Sequence, residues 1–308
     1  MTLINKTMQN IIAIIWDFDK TLISGYMQDP IFEDYHCNAH DFWTKVNSMP
    51  EKYDKQGIRV NPDTAYLIAF AHNAKDGTFK GLNNEKLRTY GKKQTFYPGI
   101  PEFIAGTKSF LAGNQDYEEY NVKVENYIVS TGFAEVIKGT PLKDLVDDIW
   151  GCEMLEEPDK NGNQVISEAC YTIDNTTKTR ALFEINKGVN KRPTISVNTK
   201  MSEGQRRVSF KNMIYIADGP SDVPAFSVIK KFGGATFAVY PHGDGEAFNQ
   251  VEQLRKDGRI DMFAEADYRK DTMTYMWIRG KVLEFADRII QDEKNANAVV
   301  NTIPKHLV

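Results

Sequence analysis

Six consecutive apolar residues, Ile11 to Trp16, are followed directly by two acidic residues, Asp17 and Asp19. A continuous β-branched run of this length is typical of a strand that is buried on both faces in a parallel sheet. If the strand continues, the two carboxylates point the same way, and a bound cation is needed to offset their repulsion. The alternative is a solvated strand end that opens a turn.

Short apolar runs and helical stretches alternate along the rest of the chain. Further strands are predicted at Tyr127 to Val129, Met213 to Ala217 and Thr236 to Tyr240. Helices are predicted between them, at Gly99 to Leu111, Thr177 to Asn186 and Glu246 to Lys256. This alternation predicts an α/β fold with a doubly wound, Rossmann-like parallel sheet. In such a sheet ligands bind at the carboxyl ends of the strands.

The stretch from about residue 26 to residue 95 has a different character, because runs of the buried-strand type vanish and helix signals are clear. One helix is predicted at Ala65 to Ala74, with Asn61 as its N-cap and Gly77 just beyond its end. The aromatic residues of this stretch are expected mostly to form a small core of their own. They include Tyr26, Phe32, Tyr35, Phe42, Trp43 and Tyr66.

We therefore predict a small helical cap of residues 26–95, inserted after the first strand of an α/β core that comprises residues 1–25 and 96–308. Because the insert leaves the core after the first strand and returns before the second, it would lie over the mouth of the sheet. That is the place for a lid that closes over a ligand.

Three features of the remaining core sequence predict local structure. Gly151 to Glu156 and Val165 to Tyr171 flank a dense turn cluster, which predicts a hairpin. Residues 187–209 are polar and predict an irregular loop or small projection. Apolar residues at helical spacing in Met273 to Glu293 predict a final packed helix.

Composition argues against several classes of protein. The 308 residues include 38 basic and 42 acidic residues, and 41% are hydrophobic, as in an ordinary soluble globular protein. A weakly acidic balance argues against a sequence-independent grip on nucleic acid, and the apolar run near the amino end is too short for a signal core or a membrane span. Three irregularly spaced cysteines argue against a disulfide framework. We expect a cytoplasmic protein without nucleic-acid or membrane partners.

The segment from Asp17 to Thr21 has the pattern Asp-x-Asp-x-Thr after a buried strand. It resembles the first motif of phosphatases in the haloacid dehalogenase superfamily. The second motif of that family is a Ser or Thr at the end of another strand, and Ser130 matches it, with Thr131 as the runner-up. Backbone amides freed by Gly132 can join the hydroxyl in donating to a phosphoryl oxygen.

Two further motifs follow in the family's order. The third is a lysine at the start of a helix after a hairpin, which Lys178 matches, with Arg180 as a weaker substitute. The fourth is an Asp-Gly-x-x-Asp sequence at the end of a buried strand, which places Asp218 and Asp222. Most members of the family have glycine where this chain has Ala217, a small residue in place of a small one.

The resemblance, most similar to the phosphoserine phosphatases, implies a phosphatase that acts through an aspartyl-phosphate. Asp17 would be the nucleophile, Asp19 the general acid and base, and Lys178 a charge that stabilises the transferred group. Mg²⁺ would be held by the carboxylates of Asp17 and Asp218 and the backbone carbonyl of Asp19. Asp222 would hold Lys178 or a metal-bound water. The substrate would be a small phosphorylated metabolite selected by the cap, and no oligomeric state is predicted.

Other functions fit the sequence less well or stay open. Relatives that cleave carbon–halogen bonds lack the second aspartate, so Asp19 argues against dehalogenation. Ion pumps use Asp-Lys-Thr-Gly-Thr, a register in which Asp19 would be the nucleophile, but Leu22 breaks that pattern. Transfer of the phosphoryl group to an alcohol, or a catalytically silent binding module, remains an alternative.

Two minor clusters contain residue types that can form sites. His36, Cys37 and His40 could ligate zinc, although an ordinary helix surface is the simpler interpretation. His242 and Asp244 follow the last core strand and could line the mouth of the site, although a plain turn is again the simpler interpretation.

Overall fold

The computed structural model describes the backbone of residues 9–302 and the side chains of residues 9–296. The first eight and the last six residues assigned above to the α/β core therefore lie outside the described residues.

One sheet organises the described chain, with seven strands in the order β4-β3-β2-β1-β5-β6-β7. The strands are β1 Ile11–Trp16, β2 Lys123–Phe133, β3 Asp148–Pro158, β4 Gln164–Tyr171, β5 Met213–Ala217, β6 Ala235–Tyr240 and β7 Met262–Glu265. All neighbouring pairs are parallel except β3 and β4, which run antiparallel. All six residues of β1 are buried, as their continuous apolar sequence requires at the centre of a sheet covered on both faces.

Twelve α-helices lie between and after the strands of the described chain. Seven lie between β1 and β2, namely α1 Asp29–Asp34, α2 Ala39–Asn47, α3 Met49–Asp54, α4 Ala65–Asp76, α5 Asn84–Gly91, α6 Glu102–Thr107 and α7 Gln115–Glu119. The others are α8 Ala134–Lys138, α9 Lys178–Lys187, α10 Val223–Lys231, α11 Gly245–Lys256 and α12 Met273–Thr302. Across residues 9–302 we find no helix long and apolar enough to cross a membrane.

The predicted α/β class and doubly wound sheet are confirmed, and so is the hairpin, which is formed by β3 and β4. The predicted helix Gly99 to Leu111 is shorter, because α6 begins only after Pro101 and gives way to a 3₁₀ turn at Lys108–Leu111. Strand β7 is not evident from the sequence, because three of its four residues are only half-buried and four residues are too few for a clear pattern.

Residues 26–95 contain helices α1 to α5 and no strand of the sheet, in keeping with the helical character expected there. Several aromatic rings pack together inside this segment, with centroids 4.9 Å apart for Phe32 and Phe42 and 5.1 Å apart for Phe42 and Phe70. The division into cap and core domains stays a prediction.

The predicted N-cap of α4 is wrong. The helix begins at Ala65 with Thr64 at the N-cap position, and Gly77 ends it in the left-handed conformation, as expected. The Asn61 side chain instead accepts a hydrogen bond from the backbone N–H of Asp63 at 3.0 Å and donates one to Asp174 at 2.9 Å. Asn61 therefore links the helical segment to the loop that precedes α9, rather than starting a helix.

Two glycines allow α5 and α8 to approach with their backbones in contact. A Cβ atom on Gly91 would lie 2.2 Å from the carbonyl oxygen of Val136, and one on Gly139 would lie 1.9 Å from the carbonyl oxygen of Arg88. The Arg88 side chain also pairs with Glu135 across this contact. The helical segment is therefore anchored to the rest of the fold at its α5 end.

We expect Gly139→Ala to lower the free energy of unfolding by about 3 kcal/mol, because the added methyl meets main-chain atoms that cannot rotate away. Urea denaturation measures this change. Gly106→Ala is the matched control, since Gly106 lies in α6 and a methyl added there would find no atom within 4 Å. Helix propensity should raise the stability of that variant by about 0.5–1 kcal/mol. Equal stabilities for the two variants would contradict the close approach.

Candidate active site

The carboxyl ends of two neighbouring parallel strands carry the central acidic residues. Asp17 follows β1 and Asp218 follows β5, and the backbone N–H of Asp17 donates to the carbonyl of Ile216 at 2.9 Å. Asp222 lies one turn beyond Asp218. Carboxylate oxygens of Asp17, Asp218 and Asp222 all lie within 4.8 Å of one another. The structure thus brings together two stretches of sequence separated by about 200 residues.

Lys178 lies between two of these carboxylates. Its Nζ donates to Asp17 Oδ1 at 2.8 Å and to Asp222 Oδ1 at 2.7 Å, and only 1% of its side chain is exposed. Burial alone would lower the pKa of Lys178, but the charges of Asp17 and Asp222 outweigh burial and raise it. The ammonium group is therefore held charged where β1, β5 and the start of α9 meet.

Asp222 is fully buried and is held by three donors. Besides Lys178, the hydroxyl of Tyr215 donates to it at 2.5 Å and the hydroxyl of Ser221 donates at 2.9 Å. Tyr215 is a residue that the sequence analysis does not identify. Its one available signal is a hydroxyl-bearing residue in the otherwise apolar strand β5, every residue of which is buried. Tyr215 is a positioning residue, because it acts through Asp222.

The acidic cluster is short of positive charge. Burial, more than repulsion from neighbouring carboxylates, raises the pKa of Asp17 to about 6, although Lys178 opposes the shift. Burial, followed by the charges of Asp17 and Asp222, raises the pKa of Asp218 to about 7. Within the described part of the chain we find no hydrogen-bond donor to the Asp218 carboxylate, on which Lys178 and Lys20 act through their charge. Clustered hard oxygen donors with an unpaired carboxylate fit a hard divalent cation such as Mg²⁺.

Asp19 lies beside this cluster and is oriented by the main chain. The backbone N–H of Met27 donates to Asp19 Oδ1 at 2.8 Å. The chain turns immediately afterwards at Lys20, whose φ of 54° lies in the left-handed region. Burial and the charge of Asp17 raise the pKa of Asp19 well above its ordinary value. A carboxyl group with a raised pKa can hold a proton and donate it.

The residues of the second predicted motif have different surroundings in the structure. Ser130 is 1% exposed, and its Oγ accepts a hydrogen bond from the backbone N–H of Gly132 at 3.0 Å. Thr131, the runner-up, lines the cavity described next. A Cβ on Gly132 would lie 2.2 Å from Cε of Met27, so the end of that side chain would have to shift to admit one. The phosphate-binding role of Ser130, Thr131 and Gly132 stays a prediction.

A cavity of about 250 Å³ opens above the acidic cluster. One side is formed by residues at the strand ends and at α9, namely Asp17, Asp19, Lys20, Thr131, Lys178, Asp218 and Ser221. The other side comes from the helical segment, namely Tyr26, Gln28, Trp43, Pro62, Asp63 and Tyr66. The hydroxyl of Tyr66 donates to the carbonyl of Thr131 at 2.7 Å, which ties the two sides together.

The two minor clusters lie apart from this cavity. Among the described residues, Asp17, Asp218 and Asp222 form the one group of three possible metal ligands, so His36, Cys37 and His40 do not converge with a further ligand. His242 is exposed and lies 3.0 Å from Glu265, and the Asp244 side chain caps α11 by accepting from Ala247 N–H at 2.9 Å. The plain-turn interpretation of this segment is confirmed for Asp244.

No known family model matches the sequence. An uncharacterized protein of Borreliella burgdorferi is 34% identical to this chain over 288 residues, which are 89% of this chain and 97% of that protein.

Two solved structures resemble the fold described above. A substrate-bound phosphoserine phosphatase matches with a TM-score of 0.50 at 16% identity, over 84% of this chain and 95% of that one. An unliganded probable phosphoserine phosphatase from Vibrio cholerae matches with a TM-score of 0.50 at 12% identity, over 92% of this chain and 69% of that one. At such identities the likeness concerns the fold.

Proposed function

This chain belongs to one family with the Borreliella burgdorferi protein and has the fold of the haloacid dehalogenase superfamily, as seen in phosphoserine phosphatases; from that premise we propose that it is a magnesium-dependent phosphatase. It hydrolyses a small phosphorylated metabolite through an aspartyl-phosphate on Asp17. The four sequence motifs and the fold both support this proposal.

The observation that carries the proposal is the convergence of Asp17, Asp218, Asp222 and Lys178. Three carboxylates within 4.8 Å of one another and a buried ammonium group cost free energy to assemble. Such clusters are typical of functional sites. They also lie at the carboxyl ends of parallel strands, where α/β proteins bind ligands. A site for a phosphate and a divalent cation accounts for both features.

Mg²⁺ would be held by the carboxylates of Asp17 and Asp218 and the backbone carbonyl of Asp19. When bound, it supplies positive charge that lets a phosphate dianion approach carboxylates. Lys178 adds a second, fixed positive charge beside Asp17, where it stabilises charge on the equatorial phosphoryl oxygens. Ser130 and the neighbouring amides would donate to the same oxygens.

In the first half of the reaction a carboxylate oxygen of Asp17 attacks phosphorus. A bond forms between Asp17 and phosphorus, and the bond from phosphorus to the leaving oxygen breaks. The leaving oxygen takes the bonding electron pair and receives a proton from the carboxylic acid of Asp19. The alcohol departs and Asp17 carries the phosphoryl group.

In the second half Asp19, now a carboxylate, accepts a proton from a water molecule that attacks phosphorus. The bond between Asp17 and phosphorus breaks, and inorganic phosphate leaves. Asp17 regains its charge and Asp19 its proton. The hydrogen bond from Met27 N–H to Asp19 keeps the carboxyl oriented through both halves.

Release of p-nitrophenolate from p-nitrophenyl phosphate in the presence of Mg²⁺ tests the proposal directly. Turnover that depends on Mg²⁺ supports it. Absence of turnover on this ester and on a broad panel of phosphomonoesters contradicts it and favours the silent binding module. Product analysis with an added alcohol distinguishes hydrolysis from transfer, because transfer yields a new phosphoester.

We expect Mg²⁺ to raise the melting temperature of the wild-type protein, because the ion binds only the folded arrangement of carboxylates. At roughly 100-fold excess over Kd the gain is about 2.7 kcal/mol, or about 5 °C for a chain of this size. Asp218→Asn should lose most of the increase, since one ligand is gone. Thermal unfolding followed by circular dichroism measures both.

Sodium chloride at matched ionic strength is the control for nonspecific screening. An equal rise with sodium chloride, or an undiminished rise in Asp218→Asn, would contradict metal binding at this cluster.

The proposed location is the cytoplasm. All three cysteines, Cys37, Cys152 and Cys170, are unpaired, which supports a reducing compartment.

A further inference from the structure

The inner wall of the cavity holds a polar group whose hydrogen-bonding capacity is unused. Gln28 is 4% exposed and lines the cavity, yet its Oε1 is buried without a hydrogen-bond partner among the described residues. Buried amide oxygens are normally satisfied, so an orphaned one beside a cavity points to a donor supplied by a ligand. The ligand group near Gln28 should therefore carry an N–H or O–H.

A carboxylate lies on the same side of the cavity. Asp63 Oδ2 accepts a hydrogen bond from the backbone N–H of Asn175 at 3.1 Å, which fixes the side chain next to the loop before α9. Within the described chain we find no donor to the second oxygen, Oδ1. This oxygen is an acceptor with negative charge, and it favours a cation over a neutral hydroxyl.

The side of the cavity that belongs to the helical segment contains no basic residue. Lys20 and Lys178 are the ammonium groups of the lining, and carboxylates already face both. Lys178 is bound by Asp17 and Asp222, while Lys20 lies 4.3 Å above the ring of Tyr26 and faces Asp218 and Asp19. A carboxylate on the leaving group would be repelled by Asp63.

Aromatic rings complete this end of the cavity. Trp43 is half-buried, and its ring lies 6.1 Å from that of Tyr66, centroid to centroid. Both rings line the cavity. Faces of aromatic rings attract ammonium groups, and the attraction adds to that of a nearby carboxylate.

From these features we infer that the substrate is the phosphate ester of a small amino alcohol. The inference rests on the proposed function. Its phosphoryl group would lie against Asp17 and Lys178, and its ammonium group between Gln28, Asp63 and the ring of Trp43. An amino acid phosphate is disfavoured, because its carboxylate would be repelled by Asp63. A volume of about 250 Å³ suits a molecule of this size.

The experiment compares kcat/KM in Mg²⁺ for phosphoethanolamine, for 2-hydroxyethyl phosphate, which has the same size, and for phosphoserine, which adds a carboxylate. We expect phosphoethanolamine to exceed each of the other two by about 10-fold or more, because a neutral hydroxyl leaves the charge of Asp63 unpaired and the carboxylate of phosphoserine is repelled by it. Equal values for phosphoethanolamine and 2-hydroxyethyl phosphate would overturn the ammonium assignment. Preference for phosphoserine would overturn the whole inference.

Asp63→Asn tests the residue itself. Asparagine keeps an oxygen for the N–H of Asn175 and removes only the charge. We expect the preference for phosphoethanolamine over 2-hydroxyethyl phosphate to fall about 10-fold in Asp63→Asn. Gln28→Leu should lower kcat/KM for both esters, since either can donate to the Gln28 oxygen. Asp54→Asn is the matched control, since Asp54 is an exposed residue at the end of α3 and does not line the cavity. An unchanged preference in Asp63→Asn would overturn the assignment of this residue.

Binding separates this inference from the proposed function. If the protein hydrolyses neither p-nitrophenyl phosphate nor any ester of the broad panel, the proposed function is wrong, and calorimetric titration of the wild-type protein with the same three esters still decides whether the cavity prefers the ester of an amino alcohol. Tighter binding of phosphoethanolamine supports it. Equal binding of the three esters, or no binding of any, overturns it.

Discussion

We expect Asp17→Asn to lower kcat for p-nitrophenyl phosphate by at least about 1,000-fold, the scale of loss seen when a catalytic nucleophile is removed. The amide has the shape of the carboxylate, but it lacks the charge and nucleophilicity needed to attack phosphorus. Asp17 is also within reach of Lys178 and the two other carboxylates, so one substitution removes the proposed nucleophile and a proposed metal ligand together. Steady-state rates with excess Mg²⁺ measure the loss.

Asp244→Asn is the matched control for that experiment. Asp244 follows β6 at the same edge of the sheet, and asparagine replaces aspartate well as an N-cap of α11. We expect its kcat to stay near the wild-type value. Retention of activity in Asp17→Asn together with its loss in Asp19→Asn would instead show that Asp19 is the nucleophile, as in the register of the ion pumps.

The second large effect is expected for Lys178→Met. Removing the ammonium leaves Asp17 and Asp222 facing each other in a buried place, and breaking such a pair costs about 3–5 kcal/mol. Methionine has a similar volume, so the loss should come from charge rather than from a cavity. Urea denaturation in the presence of EDTA measures the change without interference from a bound cation.

A surface lysine provides the comparison. Lys231 is exposed at the end of α10, and Lys231→Met should change the free energy of unfolding by less than about 0.5 kcal/mol. Lys178→Arg should recover part of the stability because the charge remains. If Lys178→Met were as stable as Lys231→Met, the buried ion pairs would not hold the site together.

The catalytic side of the site could be predicted because its residues follow strands that have a strong local signal. The run Ile11 to Trp16 forms β1 residue for residue, and Met213 to Ala217 forms β5. Once two buried strands are recognised in a parallel sheet, the polar residues that follow them must share one edge. That Asp17 and Asp218 share one site was implied by the family resemblance, and it depends on β5 lying next to β1 in the sheet.

The substrate side could not be predicted in the same way. Gln28 and Asp63 lie 35 residues apart in a segment of short helices, and their convergence on one cavity depends on how those helices pack. Asn61 shows the difficulty, since its sequence context is that of an N-cap while its side chain reaches Asp174. Contacts between distant segments outweighed the local preference there.

Tyr215 illustrates a second limit of sequence patterns. An aromatic residue in a buried strand satisfies the apolar pattern whether or not its hydroxyl has a partner. Only the position of Asp222, seven residues later and after a turn, shows that the hydroxyl holds a carboxylate. A continuous apolar run identifies the strand but gives no information about that hydrogen bond.

The order of the strands has a consequence for biosynthesis. The innermost strand β1 pairs with β5, and Ala13 lies opposite Met213, so the ladder joins segments 200 residues apart. Pairings this remote are slow to form, because a long loop must close before they contribute stability. The acidic cluster of a nascent chain cannot form until translation has passed Asp222. Until then β1 has an unpaired edge, which chaperones can bind and through which the chain can aggregate.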